Sequence, residues 1–340
     1  MEVKGAIKQI PTFAKRTYKG GKVLREFLGY RDPRDDFYPE DWISSFTEAK
    51  NKDYVKDEGI SRAATAFGTK LITEIVDKND FGQGRRESGV LIKLLDSAER
   101  LSIQVHPTKE YAKKIFDSEY GKTECWYILG KRDSNACVYL GFKEYVTKEV
   151  WKDLFDRQDI DGMLGAMHRF EVNEGDVILV RGGMPHAIGG GCFLLEIQEP
   201  TDYTMRVERI TVAGEHMTPL QLHCGAGEDA LMDCFDYTSR SFDETKKLFF
   251  IKGSAEPSGA LRQVSYDDTP CFALDLVDEV DYTAKNEHFV TVVALKNGGE
   301  LICNNESFKL KRGDRFFIPS AAEFTLKGAR AVICYPPKKG

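Results

Sequence analysis

Short apolar segments separated by glycine-rich turns fill the sequence from about residue 89 onwards. Examples are GVLIKLLD, NACVYLGF and DVILV, which begin at residues 89, 135 and 176. Segments of this length, with glycine at the turns between them, favour an antiparallel sheet that is closed or sandwiched. Helical patterns interrupt them at residues 108–121, at 147–167 and around 227–236. The chain is therefore predicted to be mainly β with some α.

The length of the chain and an internal repeat indicate two domains. A single core rarely grows beyond roughly 250 to 300 residues, and this chain has 340. The segment GDVILVRGGMPHAIGGGCFLLEI from Gly175 resembles GDRFFIPSAAEFTLKGARAVICY from Gly313, so the second half is interpreted as a second copy of one module. We predict domains 1–238 and 239–340, and we interpret the residues before about 90 as an irregular lead-in to the sheet.

Composition excludes several classes of protein. The chain has 48 basic and 54 acidic residues without a basic stripe, so a nucleic acid partner is not expected. It has no run of about 18 apolar residues and no apolar signal-peptide core near its start. We therefore predict a cytoplasmic protein with no membrane partner. The eight cysteines lack paired C-x-x-C spacing and are expected to be reduced and mostly buried.

Four polar side chains lie in strand-like segments where they could converge. Gln104 and His106 in SIQVHP are two residues apart, so on a strand they face the same side of the sheet. Glu124 begins the next strand-like segment, and His186 follows a Gly-Asp turn. Nitrogen and oxygen donors of this kind suit zinc, and also manganese, iron or cobalt. Taken singly, each residue is more often a packed or surface side chain than a ligand.

The same segments carry a resemblance to a known family. LIKLLDSAERLSIQVHP, then GKTECWYIL, PHAIG and EIQEPTDYTMRV resemble the type I mannose-6-phosphate isomerases of the cupin superfamily, especially their short bacterial members. The match spans about residues 89–207. It implies two cupin-type jelly-roll β-barrels, of which the first, in domain 1–238, is catalytic and decorated with helices. It also implies one Zn²⁺ per chain, held by Gln104, His106, Glu124 and His186.

The resemblance further implies an aldose–ketose isomerase that interconverts mannose 6-phosphate and fructose 6-phosphate through an enediol or enediolate. Arg206, in YTMRV, matches the family's active-site arginine and would stabilise enediolate charge or hold phosphate. Lys122 shares the face of Glu124 on an extended chain and would transfer a proton or contact phosphate. Glu196 is a third candidate for acid–base chemistry, with a buried structural carboxylate as the alternative.

The chain departs from the family pattern at several positions. Arg181 stands where proline is usual, Pro185 directly precedes His186, and Val212 stands where larger members have a lysine. Trp42 either lines the pocket or packs in the core. In the second copy Phe324 takes the place of His186, so domain 239–340 is expected to be metal-free.

These departures leave the substrate less certain than the chemistry. The expected partner is a small-molecule sugar phosphate, and the chain is expected to be a monomer or a homodimer. The alternatives are a non-catalytic sugar-binding or sensing cupin, an isomerase for a related sugar or sugar phosphate, and a metal-dependent oxygenase.

Overall fold

The structure is a computed structural model that describes residues 5–338. Strands account for 35% of the described residues and helices for 16%. The prediction of a mainly β chain with some α is therefore confirmed. The strands of the described residues form three antiparallel sheets, which we call sheets I, II and III in the order in which they build the site.

Sheet I has seven strands, and its two long central strands are buried along their whole length. Strands buried on both faces read as almost continuous apolar runs, as LIKLLD and CFLLEIQ do. The spatial order is β15-β11-β8-β13-β6-β3-β2. In chain order the strands are β2 (Phe13–Ala14), β3 (Glu40–Ile43), β6 (Leu91–Asp96), β8 (Glu124–Lys131), β11 (Val177–Val180), β13 (Cys192–Gln198) and β15 (Phe250–Ile251).

Sheet II has five shorter strands, in the order β10-β9-β12-β7-β14. It carries the SIQVHP and PHAIG segments on neighbouring strands, which pair antiparallel at His186 and Gln104. The strands are β7 (Gln104–Val105), β9 (Cys137–Phe142), β10 (Met167–Glu171), β12 (His186–Ile188) and β14 (Met205–Arg206).

Sheet III combines the end of the chain with its beginning. Its main order is β16-β17-β18-β23-β19-β22-β1-β4-β5, and β20 pairs with both β21 and β23. The strands are β1 (Ile7–Ile10), β4 (Arg62–Thr65), β5 (Gly68–Leu71), β16 (Ser254–Ala255), β17 (Leu261–Val264), β18 (Ala273–Lys285), β19 (Val290–Ala294), β20 (Glu300–Cys303), β21 (Glu306–Lys309), β22 (Arg315–Ile318) and β23 (Glu323–Tyr335).

The N-terminal segment is more ordered than its sequence indicates. It supplies β1, β4 and β5 to sheet III and β2 and β3 to sheet I, where the sequence led us to expect an irregular lead-in. These strands have two to four residues each, which is too few for a periodic pattern to be visible. Because β1 pairs with β22, strands from both sides of residue 238 share sheet III, and the domain division at that residue stays a prediction.

Four helices lie where the sequence patterns indicated, whereas those at Lys22–Phe27, Pro219–His223 and Phe242–Phe249 were not predicted. Threonine side chains begin three of the helices, one of them Thr218 before Pro219–His223. Thr108 accepts a hydrogen bond from the backbone N–H of Tyr111, and Thr147 accepts one from Val150, as N-cap residues do. The helices are α1 (Lys22–Phe27), α2 (Lys109–Phe116), α3 (Lys148–Arg157), α4 (Ile160–Gly165), α5 (Pro219–His223), α6 (Glu228–Asp233) and α7 (Phe242–Phe249).

Aromatic side chains from distant parts of the chain pack sheet III onto the N-terminal segment. Phe81 contacts Phe46, Phe289 and Phe317, with ring centroids 5.1 to 6.2 Å apart. Such edge-to-face pairs add to the energy of apolar burial. All eight cysteines are free thiols, and six of them are buried, as predicted.

Within residues 5–338, no helix has the length and apolar character needed to span a membrane.

Candidate metal centre and active site

Sheet II brings three of the predicted site residues side by side. Gln104 pairs with His186 on one neighbouring strand and with Arg206 on the other. Residues directly opposite each other in an antiparallel pair point to the same face of the sheet. The Gln104 Nε2 atom accordingly lies 3.2 Å from His186 Nε2.

Glu124, at the start of β8, faces both histidines from sheet I. Its Oε2 lies 3.2 Å from His106 Nε2, and its Oε1 lies 3.5 Å from His186 Nε2. One ligand atom from each of these three residues lies within 4.8 Å of the other two, and all three residues are buried. The indole N–H of Trp126 donates to Glu124 Oε1 at 3.1 Å and so fixes the carboxylate.

Backbone carbonyls orient the two imidazole rings. His106 Nδ1 lies 2.9 Å from the carbonyl oxygen of Tyr203, and His186 Nδ1 lies 2.9 Å from that of Met184. Since a carbonyl only accepts, each Nδ1 must carry the proton, which leaves the Nε2 lone pair directed at Glu124. Burial lowers the pKa of both rings, most strongly that of His106, and so favours this neutral form.

Two acceptor atoms thus face each other in a buried place. His106 Nε2 and Glu124 Oε2 both lack a hydrogen-bond partner among the described residues. Buried polar atoms are normally partnered, and two opposed lone pairs repel each other. A cation between them would satisfy both, so these residues fit a divalent metal. Gln104 can join the set by presenting its Oε1, because the two ends of an amide exchange by a side-chain flip.

Lys122 and Glu196 lie near this centre but have different partners. Lys122 Nζ lies 3.5 Å from Glu124 Oε2 and 3.4 Å from Thr204 Oγ1, and burial lowers its pKa although Glu124 opposes the shift. Glu196 accepts from Lys93 Nζ at 2.8 Å. Burial and the charge of Glu124 raise the pKa of Glu196. The pKa values of both groups are therefore shifted towards the neutral range, where acid–base catalysts work best.

One polar cavity connects the predicted residues. Gln104, Lys122, Glu196 and Arg206 all line it. The Arg206 Nη1 group donates to the carbonyl oxygen of Gln221 at 2.6 Å, and burial lowers the pKa of Arg206.

Four further charged residues of the cavity wall were not found from the sequence. They are Arg16, Glu40, Lys93 and Asp202. Lys93 was detectable, since a lysine in the middle of the apolar strand LIKLLD needs a buried partner, which is Glu196 on the adjacent strand.

The positions that depart from the family pattern lie in different environments. Trp42 is completely buried, and its ring packs against Arg16 and Lys93 at 4.8 and 5.2 Å. It is therefore a core residue beneath the cavity wall and does not line the cavity. Arg181 and Val212 are exposed.

Fold and site together define a mainly β chain with a candidate metal centre beside a cavity of charged groups. Comparisons with known proteins agree with this description. Residues 10–127 match the family model described as "Phosphomannose isomerase type I, catalytic domain". That stretch includes Gln104, His106, Lys122 and Glu124 and ends before His186.

Relatives extend the similarity to the rest of the chain. A provisionally named mannose-6-phosphate isomerase of Bacillus subtilis, YvyI, is 28% identical over 329 residues, which cover 95% of this chain and 96% of that protein. The mannose-6-phosphate isomerase ManA of the same organism is 33% identical over 200 residues, 58% of each chain. The crystal structure of the Bacillus subtilis mannose 6-phosphate isomerase superposes with a TM-score of 0.76 at 26% identity, covering 97% of this chain and 99% of that one.

Residues 10–127 thus match the catalytic domain of the type I phosphomannose isomerases, and relatives named mannose-6-phosphate isomerase cover most of the chain. The resemblance seen in the sequence is thereby confirmed, and so is the prediction that the chain is an enzyme of the aldose–ketose isomerase class.

Proposed function

We propose that this chain is a zinc-dependent isomerase that interconverts mannose 6-phosphate and fructose 6-phosphate. The observation that carries the proposal is the buried pair of acceptors without a hydrogen bond, His106 Nε2 and Glu124 Oε2, beside a cavity lined by Lys122, Glu196 and Arg206. A non-catalytic sugar-binding protein would keep the metal residues but would need no proton-transfer groups. The presence of such groups around the same cavity supports the isomerase.

Zinc suits the donor set. Two neutral imidazoles, one carboxylate and one amide oxygen leave a divalent ion with net positive charge. His106, Glu124, His186 and Gln104 would hold it, with one ion per chain. Bound zinc would supply Lewis-acid chemistry by polarising the substrate oxygens next to the carbons that exchange a proton. The amide ligand favours a redox-inert ion over the iron of a two-His, one-carboxylate oxygenase.

The proton transfer falls to groups of the protein itself. Aldose–ketose interconversion removes a proton from one carbon and returns it to the neighbouring carbon through an enediolate. Glu196 is the proposed base, because its raised pKa suits a proton acceptor and its contact with Lys93 fixes its position. Lys122 is the proposed donor to the substrate oxygens, since its lowered pKa makes its proton easier to give up.

Replacing Glu196 with Gln should lower kcat for mannose 6-phosphate by about a hundredfold or more, because the amide keeps the shape but cannot accept the proton. Zinc content should not change. Glu199→Gln is the matched control: this carboxylate is also buried, but it accepts from the backbone N–H of Thr123 outside the cavity. Steady-state isomerisation with metal analysis measures both variants. Wild-type kcat in Glu196→Gln would remove Glu196 from the mechanism.

Arg206→Ala should cut turnover by about a hundredfold while zinc stays bound, because a fixed guanidinium near developing negative charge stabilises it. A fall in kcat alone assigns Arg206 to the enediolate, whereas a rise in KM with little change in kcat assigns it to the phosphate. Arg209→Ala is the control, since Arg209 pairs with Glu228 on the outside of the protein. Wild-type kinetics in Arg206→Ala would exclude both roles.

The division of the fold into two domains is also a proposal. We propose two cupin-type jelly rolls, with residues 1–238 forming the catalytic one and residues 239–340 forming a second, metal-free one. Strands β11 and β22 support it, because each follows a Gly-Asp turn at the corresponding position of the internal repeat. The second unit would be extended by β1, β4 and β5. The cytoplasmic location and the monomeric or homodimeric state stay predictions.

A further inference from the structure

The guanidinium of Arg16 is held rigidly in the wall of the cavity. Its Nε donates to Glu40 Oε2 at 2.9 Å, and its Nη1 donates to Asp202 Oδ2 at 3.1 Å. The group also lies over the ring of Trp42, 4.8 Å from its centre. Glu40 is fixed in turn by the Tyr18 hydroxyl, which donates to it at 2.7 Å. An arginine held on three sides has little conformational freedom left to lose when a ligand binds.

One end of this guanidinium has no partner. Arg16 is 9% exposed, and its Nη2 atom is buried without a hydrogen-bond acceptor among the described residues. An unsatisfied buried N–H is costly and is rare in folded proteins. Arg16 lines the same cavity as Gln104 and Lys122. The free Nη2 therefore marks a place where a ligand supplies an acceptor.

Charge indicates what kind of acceptor it is. Two carboxylates already offset the charge of Arg16, and a phosphoryl group at Nη2 would lie close to both of them. Arg206, on the same cavity, has only carbonyl oxygens as hydrogen-bond partners, and no carboxylate among the described residues forms an ion pair with it. Its charge suits an anion better. A neutral hydroxyl suits Arg16, because it accepts a hydrogen bond without adding negative charge beside Glu40 and Asp202.

We infer that Arg16 is a substrate-binding residue whose Nη2 donates to a hydroxyl oxygen of the sugar chain, and that it selects among sugars by that hydroxyl. The inference rests on the proposed function for the identity of the sugar. A site built to hydrogen-bond a hydroxyl discriminates strongly against an analogue that lacks it, because the protein group is then left unpaired. Arg16 would thus be a specificity determinant that the sequence motifs do not reveal.

The test compares Arg16→Lys with the wild type on mannose 6-phosphate and on its 3-deoxy, 4-deoxy and 5-deoxy analogues. On one of the three analogues, the kcat/KM of the wild type should be about 10- to 100-fold lower than on mannose 6-phosphate, which is the range for a hydrogen bond to a charged donor. On mannose 6-phosphate, the kcat/KM of Arg16→Lys should be lower than that of the wild type by the same factor. On that analogue, the kcat/KM of the variant should fall no further. The inhibition constant of inorganic phosphate should not change. Lys19→Gln, an exposed neighbouring position, should behave as wild type.

Calorimetry of the zinc-loaded protein separates this inference from the proposed function, because it needs no turnover. D-mannitol 1-phosphate should bind Arg16→Lys about tenfold or more weakly than the wild type, while inorganic phosphate binds both equally. This result would support the hydroxyl contact even if the wild type isomerised no hexose phosphate. Equal binding of the polyol phosphate to both proteins, no binding to the wild type, or weakened binding of phosphate would overturn it. If Arg16→Lys does not fold, Arg16→Gln with Asp202→Asn repeats the comparison without changing the net charge.

Discussion

Glu124→Gln should abolish zinc binding and lower kcat/KM for mannose 6-phosphate by more than about a thousandfold, since it removes the anionic ligand of a centre expected to provide several kcal/mol of transition-state stabilisation. The amide has the shape of the carboxylate, and its oxygen can still accept from the Trp126 indole as Glu124 does. The fold should therefore survive. Metal analysis and steady-state kinetics measure the two effects.

A thermal unfolding series gives a second readout for Glu124→Gln. Zinc should raise the melting temperature of the wild type, because it binds the folded state only, and should leave that of the variant unchanged. Glu110→Gln, at an exposed position on α2, is the control and should match the wild type in all three measurements. Full zinc occupancy with wild-type turnover in Glu124→Gln would contradict the assignment of this carboxylate.

Arg315→Met should lower the free energy of unfolding by about 3 to 5 kcal/mol, which is the cost of leaving a buried charge without its partner. Arg315 in β22 of sheet III is 2% exposed and pairs with Asp41 in β3 of sheet I, which is completely buried. Asp41 would keep only the backbone N–H of Thr12 as a donor. Urea unfolding measures the loss, and a change below about 1 kcal/mol would show that the pair contributes little.

The pH dependence of the Arg315→Met variant provides a further check. Burial raises the pKa of Asp41 although Arg315 opposes the shift. A carboxyl whose folded-state pKa lies above its unfolded value contributes stability at low pH, and this contribution is lost as the pH rises through the folded-state pKa. Without Arg315 the folded-state pKa should rise further, so the destabilisation should shrink as the pH is lowered. The double variant Arg315→Met with Asp41→Asn should recover much of the loss at neutral pH.

The sequence allowed the candidate metal-binding residues to be grouped partly because two of them are close in the chain and mainly through the family resemblance. Gln104 and His106 are two positions apart in one segment, and the turn before β11, the strand that leads towards His186, could be read from Gly175 and Asp176. The mainly β character and the helices α2, α3, α4 and α6 were visible because their patterns are local, whereas α1, α5 and α7 were not predicted. Strands and helices of five or more residues leave a periodic pattern, and Thr108 and Thr147 are recognisable N-caps.

The remaining features depend on contacts between residues far apart in the chain. Nothing near β1 indicates that it pairs with β22, about 300 residues away. Arg16 and Asp202 are separated by 186 positions, and their ion pair exists only because sheets I and II meet at the cavity. Some local signals were also missed, namely the capping boxes at Thr218 and Ser241 and the charge of Lys93. A lysine in an apolar strand buried along its whole length implies an acidic partner across the sheet, and that partner is Glu196.

We propose that a zinc ion held by Gln104, His106, Glu124 and His186 makes this chain an isomerase of mannose 6-phosphate. The most direct measurement is a coupled assay of mannose 6-phosphate isomerisation on protein of known metal content, before and after chelation. We expect turnover in proportion to bound zinc, with about one ion per active chain, loss of activity on chelation and recovery when zinc is returned. Fully zinc-loaded protein that isomerises no hexose phosphate would contradict the account.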